Sequence, residues 1–288
     1  MNQSQQQRSD KTIFFHVGLP KTASTFLQRN VFPKFRGIRF IKKHDFKRRD
    51  QLIGQGGAER VLLSIELSLD HSGGIGKVKD VAAKYPHTYP IIVLRKHTRW
   101  LQSKYKYYLR KHGDRDFNGY FDLNGNGVLG TDNLLFFPKI KFLEEQFQHR
   151  PLVLFQEELK QNPYGVIDML ADYMGAEYNR NDIRVQTVKK SYNPRQLRMV
   201  RRFNRFYQYD HSGIRNKAVK FTYKKFSGLL LHSIAFFAQF FPEKWASNRP
   251  LIPQDKLKEI DHAYLDDWQK CIDYASQQRE LLFNKKPE

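Results

Sequence analysis

The chain has 288 residues, with 50 Lys and Arg against 29 Asp and Glu, for a formal net charge of +21. That length supports one large α/β domain or two small ones. The charge favours polyanionic partners: nucleic acid, anionic lipid, nucleotide or acidic polysaccharide. The single cysteine, Cys271, excludes an internal disulfide and suits a reducing compartment. The histidines are scattered, without the close spacing of a metal site.

The opening segment, MNQSQQQRSDK, is polar and has no apolar core. Residues 1–11 are therefore expected to be a disordered lead-in, neither signal peptide nor membrane anchor, followed by one domain over 12–288. No run approaches the roughly 20 apolar residues that span a bilayer. A cytoplasmic location is expected, with peripheral membrane contact as a variant of it.

Ile13, Phe14, Phe15 and Val17 form a near-continuous apolar run, the pattern of a strand buried on both faces of a parallel sheet. Gly18 and Pro20 punctuate its end. Thr22, Ser24 and Thr25 are residue types that open helices, and Phe26, Leu27 and Val31 continue one. Strand, tight loop and helix start together form an anion site, where backbone N–H groups and the helix dipole converge. A Walker loop laid on Gly18 puts Ala23 at its second glycine and Ser24 where its lysine belongs. The lysine instead appears three residues earlier, as Lys21.

The stretch GLPKTASTFLQ resembles the 5′-phosphosulfate-binding loop of sulfotransferases that use 3′-phosphoadenosine-5′-phosphosulfate, whose pattern is roughly P-K-[ST]-G-[ST]-[ST]. The chain departs from it at Ala23, where glycine is usual. The resemblance implies that Lys21, Thr22, Ala23, Ser24 and Thr25 hold the 5′-phosphosulfate. Lys21 would then neutralise the bridging oxygen as adenosine 3′,5′-bisphosphate leaves. His16, at the strand end before the loop, is a reserve base, though a packed strand histidine is the plainer reading.

Lys34 to Arg49 is a basic segment, either a solvated face or a rim that gathers an anionic acceptor. Val61 to Ile65 is a second buried strand ending in Glu66. A carboxylate there lies where α/β sheets bind ligands. In carbohydrate sulfotransferases a glutamate or histidine after the equivalent strand looks like the general base, so Glu66 is the candidate here.

Pro90 to Leu94 is a third strand, ended by Arg95, and a helix follows over His97 to Lys111. Arg95 and Ser103, eight residues on, resemble the family's 3′-phosphate-binding arginine and serine. A guanidinium at a strand end offers a planar fork to a phosphate. Gly113 to Asp132 is rich in Gly, Asn and Asp and reads as a long loop or lid. The family uses this region on the acceptor, so the resemblance implies acceptor contacts from Asp116, Phe117 and Tyr120. Asn133 to Phe147 returns to helical spacing. Pro151 to Phe155 is a fourth strand, and the helix after it stops at Gly175. The Glu158–Leu159 segment also resembles the family, in a structural role. The resemblance therefore spans roughly Ile13 to Gly175.

Residues 189 to 225 hold twelve basic residues against one acid, Asp210. The segment KKSYNPRQ resembles the family's basic C-terminal loop over the nucleotide, which implies contacts from Lys189, Lys190, Ser191 and Arg195. Leu197, Val200, Phe203, Asn204 and Tyr207 mark an amphipathic helix. Gly228 to Phe241 is the most apolar stretch and reads as a buried core helix. The alternative is a basic-flanked helix lying on a membrane surface. Asp255 to Phe283 reads as one last helix.

The expected fold is α/β: a central parallel sheet flanked by helices, P-loop-like, with a helical C-terminal part. The expected reaction is metal-free sulfuryl transfer to a hydroxyl, with an anionic or polar glycan, or a saccharide on a lipid, as acceptor. A P-loop nucleotide kinase is the first alternative, and it lacks its lysine at Ser24. A nucleic-acid binder is the second, and it gives no reason for Lys21, Arg95 and Ser103 to occur in family order.

Overall fold

The computed structural model describes residues 11–185, 192–207, 213–240 and 250–283. Five strands form one all-parallel sheet: β1 (Thr12–Gly18), β2 (Arg39–Ile41), β3 (Arg60–Glu66), β4 (Tyr89–Leu94) and β5 (Leu152–Phe155), in the order β2-β3-β1-β4-β5. The central strand β1 is thus flanked by β3 and β4, and the connection from β3 to β4 crosses it. Such a reversal of strand order opens a crevice at the carboxyl ends of the strands.

Both faces of β1 are buried, as its near-continuous apolar run, interrupted only by His16, requires. Phe14 joins Leu27, Val31 and Phe32 of the segment after the loop, and Ile167, Leu170 and Met174 of a helix over Pro163–Met174. Phe15 points the other way, stacked on Phe46 and edge-on to Phe147. Burying one such phenylalanine stabilises by about 1.5–3 kcal/mol.

The described residues divide into two compact units. The first comprises 11–96, 135–185 and 264–283 and contains the whole sheet. Its helices are α1 (Ser24–Phe26), α2 (Arg49–Gly54), α3 (Ser72–Lys84), α6 (Phe137–Gln146), α7 (Gln156–Gln161), α8 (Pro163–Met174) and α12 (Leu265–Phe283). The second comprises 97–134, 192–207, 213–240 and 250–263. It is helical: α4 (His97–Arg110), α5 (Phe117–Tyr120), α9 (Pro194–Phe206), α10 (Lys217–Phe237) and α11 (Gln254–Ala263).

Arg279 of α12 grips the Glu158 carboxylate with two nitrogens, at 2.7 and 2.9 Å, and the Val153 carbonyl at 2.7 Å. This fork ties α12 to α7 and β5. Cys271 is fully buried in α12, and burial pushes its thiol pKa up.

Several expectations change. Arg39–Ile41 lies inside the basic segment and is a strand, not a solvated face. The last helix is two, interrupted at Tyr264. Phe117 and Tyr120 are core residues of the second unit: both rings pack on Tyr105, with centroids 5.4 and 5.2 Å away. Over its described residues 228–240, the apolar stretch is not a buried core helix: Leu229, Phe236, Phe237 and Phe240 are exposed. Phe226, just before it in α10, is exposed as well. Residues 1–10 and the expected nucleotide contacts Lys189, Lys190 and Ser191 lie outside the described residues.

Candidate functional site

The loop Leu19–Ala23 leaves β1 at the carboxyl edge of the sheet and turns into α1, which widens into a π-type turn over Leu27–Val31. Irregular helical turns of this kind occur often at functional sites. The loop is closed from inside. The Thr22 hydroxyl donates to the Leu19 carbonyl at 2.7 Å, and the Ser24 hydroxyl donates to the same oxygen at 3.2 Å. Both side chains are buried. The Ser24 hydroxyl thus serves the loop itself, and the exposed hydroxyl is that of Thr25.

Lys21 and Ala23 both have left-handed backbones, with φ of 70° and 69°. A left-handed residue followed by right-handed helix curls successive N–H groups into a concave nest that suits an anion. For a side chain with a Cβ this conformation costs about 1–2 kcal/mol. At Ala23 the cost is offset in part because the methyl is half-buried against the core. Strain of this kind concentrates where a backbone is held for binding.

Gly18 is required by a close approach. A Cβ there would stand 2.6 Å from Ser24 Oγ, 2.9 Å from Ser24 Cβ and 3.1 Å from His16 Cε1. Gly18→Ala is therefore expected to destabilise the protein by about 1–3 kcal/mol, the usual cost of forcing a methyl into filled space. Denaturant unfolding checks it. A neutral result would mean that the Ser24 latch gives way without cost.

Arg95, directly after β4, donates from Nη1 to the Lys21 carbonyl at 3.2 Å. The structure thus brings the lysine loop and the strand-end arginine together. It also sets Glu66 beside Gly18: the two are register partners across β3 and β1, and Leu67 N donates to the Gly18 carbonyl at 2.9 Å. Glu66 is exposed at that edge. Lys21, Ala23, Thr25, Arg95 and Glu66 therefore all belong to one rim of the sheet, and the first four are cations, hydroxyls or curled backbone that suit an anion. The segment after Glu66 is anchored by Asp70, whose carboxylate meets the nearly buried Lys139 ammonium at 2.8 Å.

His16 is fully buried. Its Nδ1 shares a 2.7 Å hydrogen bond with the Ser64 hydroxyl, to which the Gln28 amide also donates at 3.0 Å. Its Nε2 has no hydrogen-bond partner. Burial pushes its pKa down to about 3. Ser64 and Gln28 were not singled out from sequence, although Ser64 is the one polar residue inside the VLLSI run.

Ser103 and Arg195 are carried by the second unit, on α4 and α9. Ser103 is half-buried. Arg195 donates to the Gln239 carbonyl at 3.3 Å. Among the described residues no group of three His, Cys, Asp or Glu is arranged to hold a metal ion.

No protein-family model matches the chain, and no curated protein matches it. Among solved structures it is similar to a sulfotransferase from Alicyclobacillus acidocaldarius, with 16% identity and a TM-score of 0.46, over 61% of this chain and 87% of that one. It is also similar to mouse sulfotransferase SULT7A1 complexed with PAP, with 16% identity and a TM-score of 0.41, over 77% of this chain and 92% of that one. At this identity both likenesses concern the fold.

Proposed function

We propose that the chain is a sulfotransferase that moves a sulfuryl group from 3′-phosphoadenosine-5′-phosphosulfate to a hydroxyl of a carbohydrate acceptor, a polysaccharide or a glycolipid. The observation that carries this reading is the loop at the carboxyl end of β1. Its left-handed Lys21 and Ala23 form an anion nest, and Arg95 is fixed on the Lys21 carbonyl. With the motif order read from sequence, these residues suit a nucleotide that carries phosphate at both its 5′ and 3′ ends.

In this reading the acceptor oxygen attacks sulfur as the bond from sulfur to the bridging oxygen breaks. Adenosine 3′,5′-bisphosphate departs with the electron pair. Charge grows on the bridging oxygen, and the Lys21 ammonium meets it. The acceptor's proton passes to Glu66, a transfer typically worth about 10²–10⁴ in rate. The basic surface and polar loops favour an anionic or polar acceptor over a small phenol, which needs an enclosed apolar pocket.

The test is the thermal shift of the purified protein with adenosine 3′,5′-bisphosphate, beside ATP·Mg²⁺ and adenosine 5′-phosphate. A ligand that binds only the native state at a hundredfold excess over its Kd stabilises by about 2.7 kcal/mol. A shift specific to the bisphosphate is expected. A preference for ATP·Mg²⁺ would overturn the donor assignment in favour of phosphoryl transfer.

A further inference from the structure

The geometry of α10 points to a second interaction, independent of the donor site. We infer that α10 lies on an anionic lipid surface, with its aromatic face inserted at the boundary between headgroups and acyl chains. Helices normally bury their large apolar residues and expose small or polar ones. Here the order is inverted. The side of α10 turned inward carries Ser227, Leu231, Ala235 and, just past its end, Ala238, all nearly or fully buried. Leu231 and Ala235 cluster with Val200 of α9. The opposite side carries Val219, Phe226, Leu229, Phe236 and Phe237, followed past the helix end by Phe240, each between 54% and 69% exposed. At 100° per residue the five within the helix fall within about one third of its circumference. The inner stripe packs on α9, where the Gln196 side-chain amide also donates to the Ala235 carbonyl at 3.0 Å.

Charge selects the occupant. Residues 192–207 and 213–240, which hold α9 and α10, contain ten Lys and Arg and no Asp or Glu. The lysines of α10 lie in its N-terminal half, and Lys225 sits over the Phe221 ring at 4.6 Å. A second copy docking through this face would bring two such cationic sets together. A bilayer bearing phosphatidylserine brings the opposite charge to the basic half and an apolar interior to the aromatic one. Among the described residues no helix is long and apolar enough to cross a membrane. A helix of 21 residues, about 30 Å long, is suited to lying in the plane of the interface.

The experiment is co-sedimentation of the full chain with phosphatidylcholine vesicles, with and without phosphatidylserine, at low and high salt. Binding is expected only to the mixed vesicles and should weaken with salt. Phe226→Ser with Phe237→Ser should lower the apparent affinity by about tenfold or more, since each ring forfeits its burial in lipid. Both side chains are exposed, so the pair should leave the unfolding transition in place, which the same thermal measurement confirms. Equal binding by the variant, or no binding to mixed vesicles, would overturn the inference. So would a wild-type dimer that the two substitutions dissociate, because the face would then be covered by a second copy.

Discussion

Lys21→Ala is expected to lower turnover about 10²–10³-fold, corresponding to about 2.7–4 kcal/mol of transition-state stabilisation, with little change in folding stability. The geometry separates the two effects. The backbone at Lys21 is held by contacts outside its side chain: its carbonyl accepts from Arg95, and the turn around it is closed by the Thr22 and Ser24 hydroxyls on Leu19. Alanine at a φ of 70° carries the same backbone cost as lysine, so the loop has no reason to rearrange. What disappears is the ammonium. If it acts on charge that develops only as the bond to sulfur breaks, the loss falls on kcat and on kcat/KM alike. A rise in KM alone would place Lys21 on the ground-state phosphate. Normal turnover would remove it from the chemistry. The measurement is transfer of labelled sulfate from the donor to a panel of glycans, with unfolding curves of both proteins beside it.

The sheet and the loop were legible because they are written in strong local signals. β4 and β5 are apolar runs, and β1 and β3 are apolar runs broken once each, by His16 and Ser64; they are closed by Gly, Glu, Arg or Gln at the carboxyl edge of the sheet. β2 has three residues, RFI, too few for a period to register. It opens with an arginine whose guanidinium is spent on the Leu52, Gln55 and Gly56 carbonyls. A cation that satisfies backbone oxygens looks in sequence like a cation in water. The same blindness explains α10. Apolar residues at helical spacing look alike whether a core or a lipid covers them, and only the structure shows that the small residues face inward. Phe117 and Tyr120 sat in a Gly- and Asn-rich stretch that suggested a lid. Their rings pack on Tyr105, a contact set by tertiary packing that leaves no mark on local composition. At the site, residue types and order were readable. The left-handed backbone at Lys21 and Ala23 was not, because glycine is the usual sign of such a conformation and neither position has it.

Lowering the pH from 7 to 5 is expected to remove about 2 kcal/mol of folding stability through His16 alone. In the folded chain burial holds its pKa near 3, against an ordinary value of 6.5. Between those values the unfolded chain carries a proton on this imidazole that the folded chain excludes. Stability therefore rises with pH across that window, by about 1.4 kcal/mol per unit, and the contribution is complete above about pH 7. The cause is enclosure: the ring is fully buried, edge-on to Phe32, its Nδ1 is engaged by Ser64, and its Nε2 has no protein acceptor to stabilise a charge. Unfolding in denaturant at pH 7 and pH 5, for the wild type and for His16→Gln, isolates the effect, since the other titrating groups are common to both. The wild type should lose about 2 kcal/mol more than the variant between the two conditions. Equal losses would mean that the imidazole reaches solvent and can take a proton. The reserve base would then have to be weighed again beside Glu66, because a neutral, enclosed His16 cannot accept the hydroxyl proton of an acceptor, whereas a carboxylate exposed at the sheet edge can.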